Sequence, residues 1–354
     1  MVLAMMASTA DVSSSSIPQN VVATSRSRLA WIDLLRGLAV IGMVETHVVN
    51  TFLTTRFDEA VWRTELNFYN GLLAPAFLWI AGYVQGLSIR KAQVQNRDVF
   101  TWSRVQRLLI VALIGYLMNV PIGDWLTGNF SAETWRHFFT VNILPCLALS
   151  LAGILFLGHV CGRWFDLITA TFALFFVFVA PLAAHWHTGI MPLDAYLNRE
   201  SGSLFPLFPW FAFCAAGSIT SRWQFQWKAH FPLGLLLIFV GTALMTSPFS
   251  SLHPAFFAER LGYLSLVATA IYLVSVKVAP CWLQFAGRES LFIYVFHLMI
   301  IHCFPIGGTT LDKWMGQTQS ISSTALIFAG ILGVSLLFAW FNEWRKKQGS
   351  NSKA

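Results

Sequence analysis

The sequence predicts an all-α protein, a polytopic bundle of about ten transmembrane helices with both termini in the cytoplasm. Three observations predict it: composition, apolar windows and charge placement. Of 354 residues, 56% are apolar and only 11% charged, with a mean hydropathy of +0.61. A soluble domain carries about a quarter charged residues. So few charges cannot solvate a globule of this size, and lipid must cover much of the surface.

A hydrocarbon core of ~30 Å takes ~20 apolar helical residues to cross. Ten windows meet that requirement: 34–54, 68–89, 104–121, 138–157, 165–184, 204–220, 231–247, 258–276, 286–305 and 320–341. The connections are short, the longest being 121–137 and 185–203. Residues 1–27, rich in Ser, Thr and Ala, read as a disordered cytoplasmic tail. They lack the basic start and apolar stretch of a secretory signal. Residues 28–343 form the membrane domain and 344–354 a basic cytoplasmic tail.

Threading ten spans places 17 of the 23 Lys and Arg on the side of the termini and 6 opposite. Basic residues mark the cytoplasmic side. The net charge of +7 therefore belongs to loops facing anionic lipid, and nucleic-acid binding has no place. Five cysteines lie scattered with no CxxC spacing, so neither a disulfide framework nor a metal site is indicated.

Ionisable groups inside a span are costly and mark function or tight pairing. The first window reads Asp33-Leu-Leu-Arg36-Gly37 and later Glu45-Thr46-His47. Eleven residues separate Arg36 from His47, about three turns, so they share a face ~16 Å apart along the axis. Arg36 lies near the cytoplasmic end, in reach of Asp33 one turn earlier. His47 lies in the outer half, and Glu45 projects to a different face. The third window opens Arg104-Val-Gln-Arg107. Such a pair suits phosphate capture, and positive-inside anchoring demands the same residues. Tyr294 and His297 share a side of the ninth window. They suit a substrate contact or polar glue between helices. Asn142 with Pro145, and Trp210 after Pro206 and Pro209, are weaker candidates to line a pocket. His185 and His187 lack an adjacent acidic partner.

Arg36-x10-His47 together with Arg104-x-x-Arg107 resembles the signature of the membrane acyltransferase superfamily, which includes acyltransferase-3 and heparan-α-glucosaminide N-acetyltransferase-like proteins. Phe77-Leu-Trp-Ile-Ala-Gly82, Phe205-Pro-Leu-Phe-Pro-Trp210 and Gly287-x-x-Ser290-Leu-x-x-Tyr294-x-x-His297 are similar to the second branch. The resemblance spans nearly the whole chain. It implies transfer of an acyl group, acetyl first among the candidates, from acetyl-CoA or another acyl-CoA to a carbohydrate-like or lipid-linked acceptor. It implies a co-substrate in place of a tightly bound cofactor, and the cytoplasmic (inner) membrane of a bacterium. His47 and Arg36 become catalytic candidates, Arg104 and Arg107 the acyl-CoA contacts, and Tyr294, His297, Asn142 and Trp210 the substrate contacts. His is the usual general base near neutral pH. One departure concerns the loop after the first window, where Arg56 to Asn67 holds no histidine. Glucosaminide N-acetyltransferases are read with one there, and the departure shifts weight to His47. A secondary transporter using Arg36, Glu45 and His47 as a path is the alternative.

Overall fold

The computed structural model describes residues 19–223, 225–245, 252–306 and 309–351. Each of the ten windows falls on helix. Helix α1 (Gln19–Phe52) is followed by α2 (Val61–Asn70) and α3 (Leu73–Val94). Next come α4 (Trp102–Leu117), α5 (Ile122–Leu126), α6 (Ala132–Phe139) and α7 (Ile143–Val160). The chain continues through α8 (Phe165–Phe178), α9 (Ala180–Ala183), α10 (Met191–Leu197) and α11 (Leu207–Thr220). After α12 (Trp227–Leu244) and α13 (Pro254–Ser275), α14 (Cys281–Arg288) breaks at Glu289 into α15 (Ser290–His302). A two-residue hairpin, β1 (Pro305–Ile306) and β2 (Thr309–Thr310), leads to α16 (Leu311–Met315) and α17 (Ile321–Asn351).

Five segments are long and apolar enough to cross a membrane: Val61–Val94, Ile143–Val160, Trp227–Leu244, Pro254–Ser275 and Ile321–Gln348. The other windows are helical but shorter or more polar. Helix α4 has 16 residues, and α8 and α11 have 14 each. Prolines account for this, since each removes a helix donor and clashes with the preceding turn. Pro121 follows α4, Pro181 splits α9 from α8, and Pro206 precedes α11. Helix α1 is long, but Asp33, Arg36, Glu45 and His47 lower its hydropathy.

The segments set apart as tails are partly helical. Pro18 is the last helix breaker before Arg36, and α1 starts directly after it at Gln19. Residues 1–18 and 352–354 lie outside the described residues. Helix α17 carries the basic run through Asn351. The two longest connections are also folded, into α5 and α6 and into α10. Ser131 caps α6 by accepting from the Thr134 N–H, a standard way of satisfying a free helix donor.

The lipid-facing surface shows in burial. The spanning windows of α12 and α17 are only 17% and 22% buried although strongly apolar. Exposed Leu236, Phe239, Leu326 and Leu337 are unfavourable in water and suited to hydrocarbon.

Helix α1 sits at the centre, packed on α3, α13, α14, α15 and α17. Glycines let backbones meet at the tightest crossings. A Cβ on Gly82 would stand 1.9 Å from the Cys214 carbonyl oxygen, and one on Gly217 1.9 Å from that of Trp79. This reciprocal approach of α3 and α11 is available only to glycine. Beside it Trp31, Trp79, Tyr83 and Phe225 form an aromatic cluster against the first half of α1.

At the same end Arg90 grips Asp166 through two bonds of 2.6 and 3.3 Å, and Arg222 adds a third of 2.8 Å. Arg90 also donates to Ser221 Oγ and the Ser218 carbonyl. This latch ties α3 to α8 and α11. Asp166→Asn removes the charge that both arginines share and is expected to cost about 2 kcal/mol. Thermal unfolding of the purified protein would read it; an unchanged midpoint refutes the latch.

Candidate active site

Helices α1 and α15 carry matching polar groups at two levels. Arg36 Nη2 donates to Ser290 Oγ at 3.0 Å. About three turns further along α1, His47 Nδ1 and His297 Nε2 stand 3.3 Å apart. No ion pair joins Arg36 to Asp33 among the described residues; the guanidinium instead crosses to α15. The expected Asp33 partner shares its helix with Arg36, whereas Ser290 lies directly opposite.

The protonation pattern of the histidine pair follows from donor and acceptor matching. His297 Nδ1 faces the Ile293 carbonyl at 2.9 Å, and His47 Nδ1 faces that of Met43 at 2.8 Å. Carbonyls only accept, so each neutral ring carries its proton on Nδ1. His297 Nε2 is then a lone pair directed at the His47 Nδ1–H, which it shares with Met43. His47 Nε2 is left as an unprotonated nitrogen. A proton taken there produces an imidazolium whose Nδ1–H already faces two acceptors. This is the base-plus-orienter logic of nucleophile activation, with an imidazole in place of the customary carboxylate.

Tyr294 packs edge-on against both rings, with centroids 6.2 Å from His47 and 5.6 Å from His297. His297 is fully buried, while His47 keeps some accessible surface. Both positions depend on another close crossing. A Cβ on Gly37 would meet the Leu283 carbonyl oxygen at 2.2 Å, and one on Gly287 that of Asp33 at 1.9 Å. Helix α14 is thereby clamped on α1 and sets where α15 begins.

Glu45 lies on another face of α1, against Asn70 and Arg63. Arg104 donates to Val99 O at 2.6 Å and to Ser88 Oγ at 2.9 Å. It lines a cavity of about 380 Å³ together with Ser88, Lys91, Arg97, Asp98 and Thr101, three cations against one carboxylate. Neither Arg36 nor His47 lines this cavity. Arg107 does not line it either and is exposed. The i, i+3 spacing places both arginines on one side, but only Arg104 turns toward α3. Lys91 and Arg97 are the cations sequence reasoning did not single out, having counted them only as cytoplasmic charge.

Asn142 and Trp210 have other partners. Asn142 Nδ2 donates to Asn119 Oδ1 at 2.6 Å, and Asn119 in turn to the Thr140 carbonyl, a bracket for the start of α7. Trp210 packs among Phe205, Phe213 and Phe256. His185 and His187 both lie against Glu200, at 3.7 and 3.0 Å, an acidic partner invisible from local spacing. At the C-terminal end of α15, His302 Nδ1 meets Asp312 at 2.9 Å. Partial burial works against the Asp312 charge. The Thr310 hydroxyl, His302 and the Lys313 amide outweigh it and hold the carboxyl below its ordinary range.

A family model for the heparan-alpha-glucosaminide N-acetyltransferase catalytic domain matches residues 28–231. The chain belongs to that family. The match covers more than half of the sequence and makes the protein a membrane acetyltransferase by family. It supports the glucosaminide side of the resemblance, and nothing in it speaks for the acyltransferase-3 side. No curated protein matches the chain significantly. Within this acetyltransferase, Arg36, His47 and Arg104 lie inside the matched region, whereas Ser290, Tyr294 and His297 lie beyond it.

Proposed function

We propose that the protein transfers an acetyl group from cytoplasmic acetyl-CoA to a hydroxyl or amine of a carbohydrate-like or lipid-linked acceptor arriving from the outer side. The setting is the cytoplasmic (inner) membrane of a bacterium, with ten crossings and both termini cytoplasmic. The observation that carries the reading is the His47–His297 pair with its bare His47 Nε2, in a chain of an acetyltransferase family. Positive-inside placement puts Arg36 and Arg104 on the donor side and His47 toward the acceptor.

In this mechanism His47 Nε2 takes the acceptor's proton as its oxygen or nitrogen attacks the thioester carbonyl. His297 and the Met43 carbonyl hold the ring and stabilise the imidazolium. Collapse of the tetrahedral intermediate breaks the C–S bond, and the proton passes from His47 to the departing sulfur. No net proton is released. Arg36, ~16 Å from His47 along α1, is too distant to touch the reacting carbon. Its role is to meet the donor's diphosphate, one pantetheine arm from the base. The cavity of Arg104, Lys91 and Arg97 suits the donor's remaining phosphate. Arg107 contributes to the field of that mouth without lining it.

The transporter alternative is not favoured. It needs Glu45 and His47 on one path, and they face different neighbours across α1.

Membranes carrying the protein test the donor site with radiolabelled acetyl-CoA. Arg104→Ala is expected to raise the donor KM about tenfold with little change in kcat, the mark of lost binding shared by ground and transition states. Lys91→Ala should move KM the same way. An unchanged donor KM in both variants reduces the cavity to a structural tether of α4 on α3.

A further inference from the structure

A second polar cluster surrounds the outer half of α1, and the reaction above does not use it. Arg63 on α2 is only 6% exposed. Its Nη2 donates to Asn50 Oδ1 at 2.6 Å. Asp58 stands 4.0 Å from Nε, beyond hydrogen-bond reach. Arg63 Nε and Nη1 are buried without a hydrogen-bond partner, and so is Asn70 Nδ2. The Glu45 carboxylate lies against Asn70 and Arg63. Unpaired buried donors, above all on a charged group, carry a desolvation cost, which the Asn50 bond and the Asp58 and Glu45 charges offset without giving Nε and Nη1 an acceptor. Such groups in a native structure call for an explanation.

The chemistry of the cluster selects its ligand. Two unused Arg63 donors stand beside a carboxylate that the Asn70 amide also faces. An anion would suit the donors and be repelled by Glu45. An ammonium would suit Glu45 and be repelled by Arg63. Neutral hydroxyl groups answer both, accepting from Arg63 and Asn70 and donating to Glu45. Several donors and an acceptor in one place call for several hydroxyls. The same short helix presents exposed Trp62, 5.9 Å from Phe57, and exposed Tyr69, amphipathic rings suited to the apolar face of a sugar. Asn50 lies three residues beyond His47, about one turn further out on a neighbouring strip of α1.

We propose that Glu45, Asn50, Arg63 and Asn70 form a recognition site for the hydroxyl groups of a polyol at the outer edge of α1. That the bound polyol is the acetyl acceptor rests on the acyl-transfer reading; the binding itself does not.

The test uses the full chain in lipid nanodiscs and three polyol probes: methyl α-glucoside, methyl α-galactoside and inositol. Inorganic phosphate and propylamine serve as the anion and amine comparisons. At least one polyol is expected to bind, and Arg63→Gln and Asn70→Ala to weaken it about tenfold or more. Phosphate and propylamine should bind more weakly than that polyol. In acetyl-transfer assays the same variants should raise the polyol's KM about tenfold and leave the acetyl-CoA KM unchanged. If Arg63→Gln fails to fold, Asn70→Ala decides, because Asn70 faces only Glu45 and its loss leaves the Arg63–Asn50 bond in place. No binding by any of the three polyols, preference for phosphate, or equal binding by wild type and variants overturns the site. Polyol binding that depends on Arg63 in a protein inactive toward acetyl-CoA keeps the site and sinks the acyl-transfer reading.

Discussion

Replacing His47 by alanine is expected to slow acetyl transfer by about 10²–10⁴-fold, the usual contribution of a general base, with little change in the donor KM. The geometry explains both halves. Among the described residues His47 Nε2 is the one nitrogen of the pair without a hydrogen-bond partner, so the proposed proton abstraction falls to it. In the proposed mode of binding the donor's phosphates meet Arg36 and the Arg104 cavity, ~16 Å or more from His47, so ground-state binding of acetyl-CoA should persist. On the proposed mechanism His297 acts through its 3.3 Å contact with His47, as a positioning residue. His297→Ala should lower kcat less than His47→Ala. His297→Gln, which keeps an acceptor toward the Nδ1–H, should recover part of the loss. Undiminished transfer by His47→Ala in membranes would remove it from the mechanism. Equal losses in His297→Ala and His297→Gln would show that the second ring serves packing alone.

Gly287→Ala is expected to damage fold and activity together. The added Cβ would stand 1.9 Å from the Asp33 carbonyl oxygen, and backbone cannot rotate aside as a side chain can. Helix α14 must back away from α1, at a cost of about 1–3 kcal/mol for overpacking. Only Glu289 separates α14 from α15, so the shift carries Ser290 and His297 away from Arg36 and His47. Gly37→Ala should behave alike from the other side of the crossing. Gly333→Ala on α17 is the comparison, since a Cβ there meets nothing within 4 Å; it should be neutral. Thermal unfolding and acetyl transfer measured on the same preparations check this. Full activity and stability in Gly287→Ala would show that the crossing relaxes freely.

Much of this protein follows from one-dimensional pattern. Apolar length located every long helix, because a span must satisfy its backbone internally and can do so only as helix. Helical periodicity put Arg36 and His47 on one face and Glu45 on another, and the structure keeps them so. Helix ends were less legible: prolines shorten α4, α8 and α11, and folded segments fill connections that hydropathy treats as loops.

The helical membrane class, the glycine-bearing motifs and the candidate residues for acyl transfer were legible in the sequence. All of these depend on spacing along one helix or on composition. Tertiary structure alone decided the pairings. It joined His47 to His297 and Arg36 to Ser290, set Arg104 among Lys91 and Arg97, and left Arg107 outside. It also buried Arg63 with donors to spare. Each of these depends on which faces of remote helices meet, and that is set by close glycine crossings and side-chain volume. Periodicity gives the angle of a residue around its own axis and carries no information about the helix opposite.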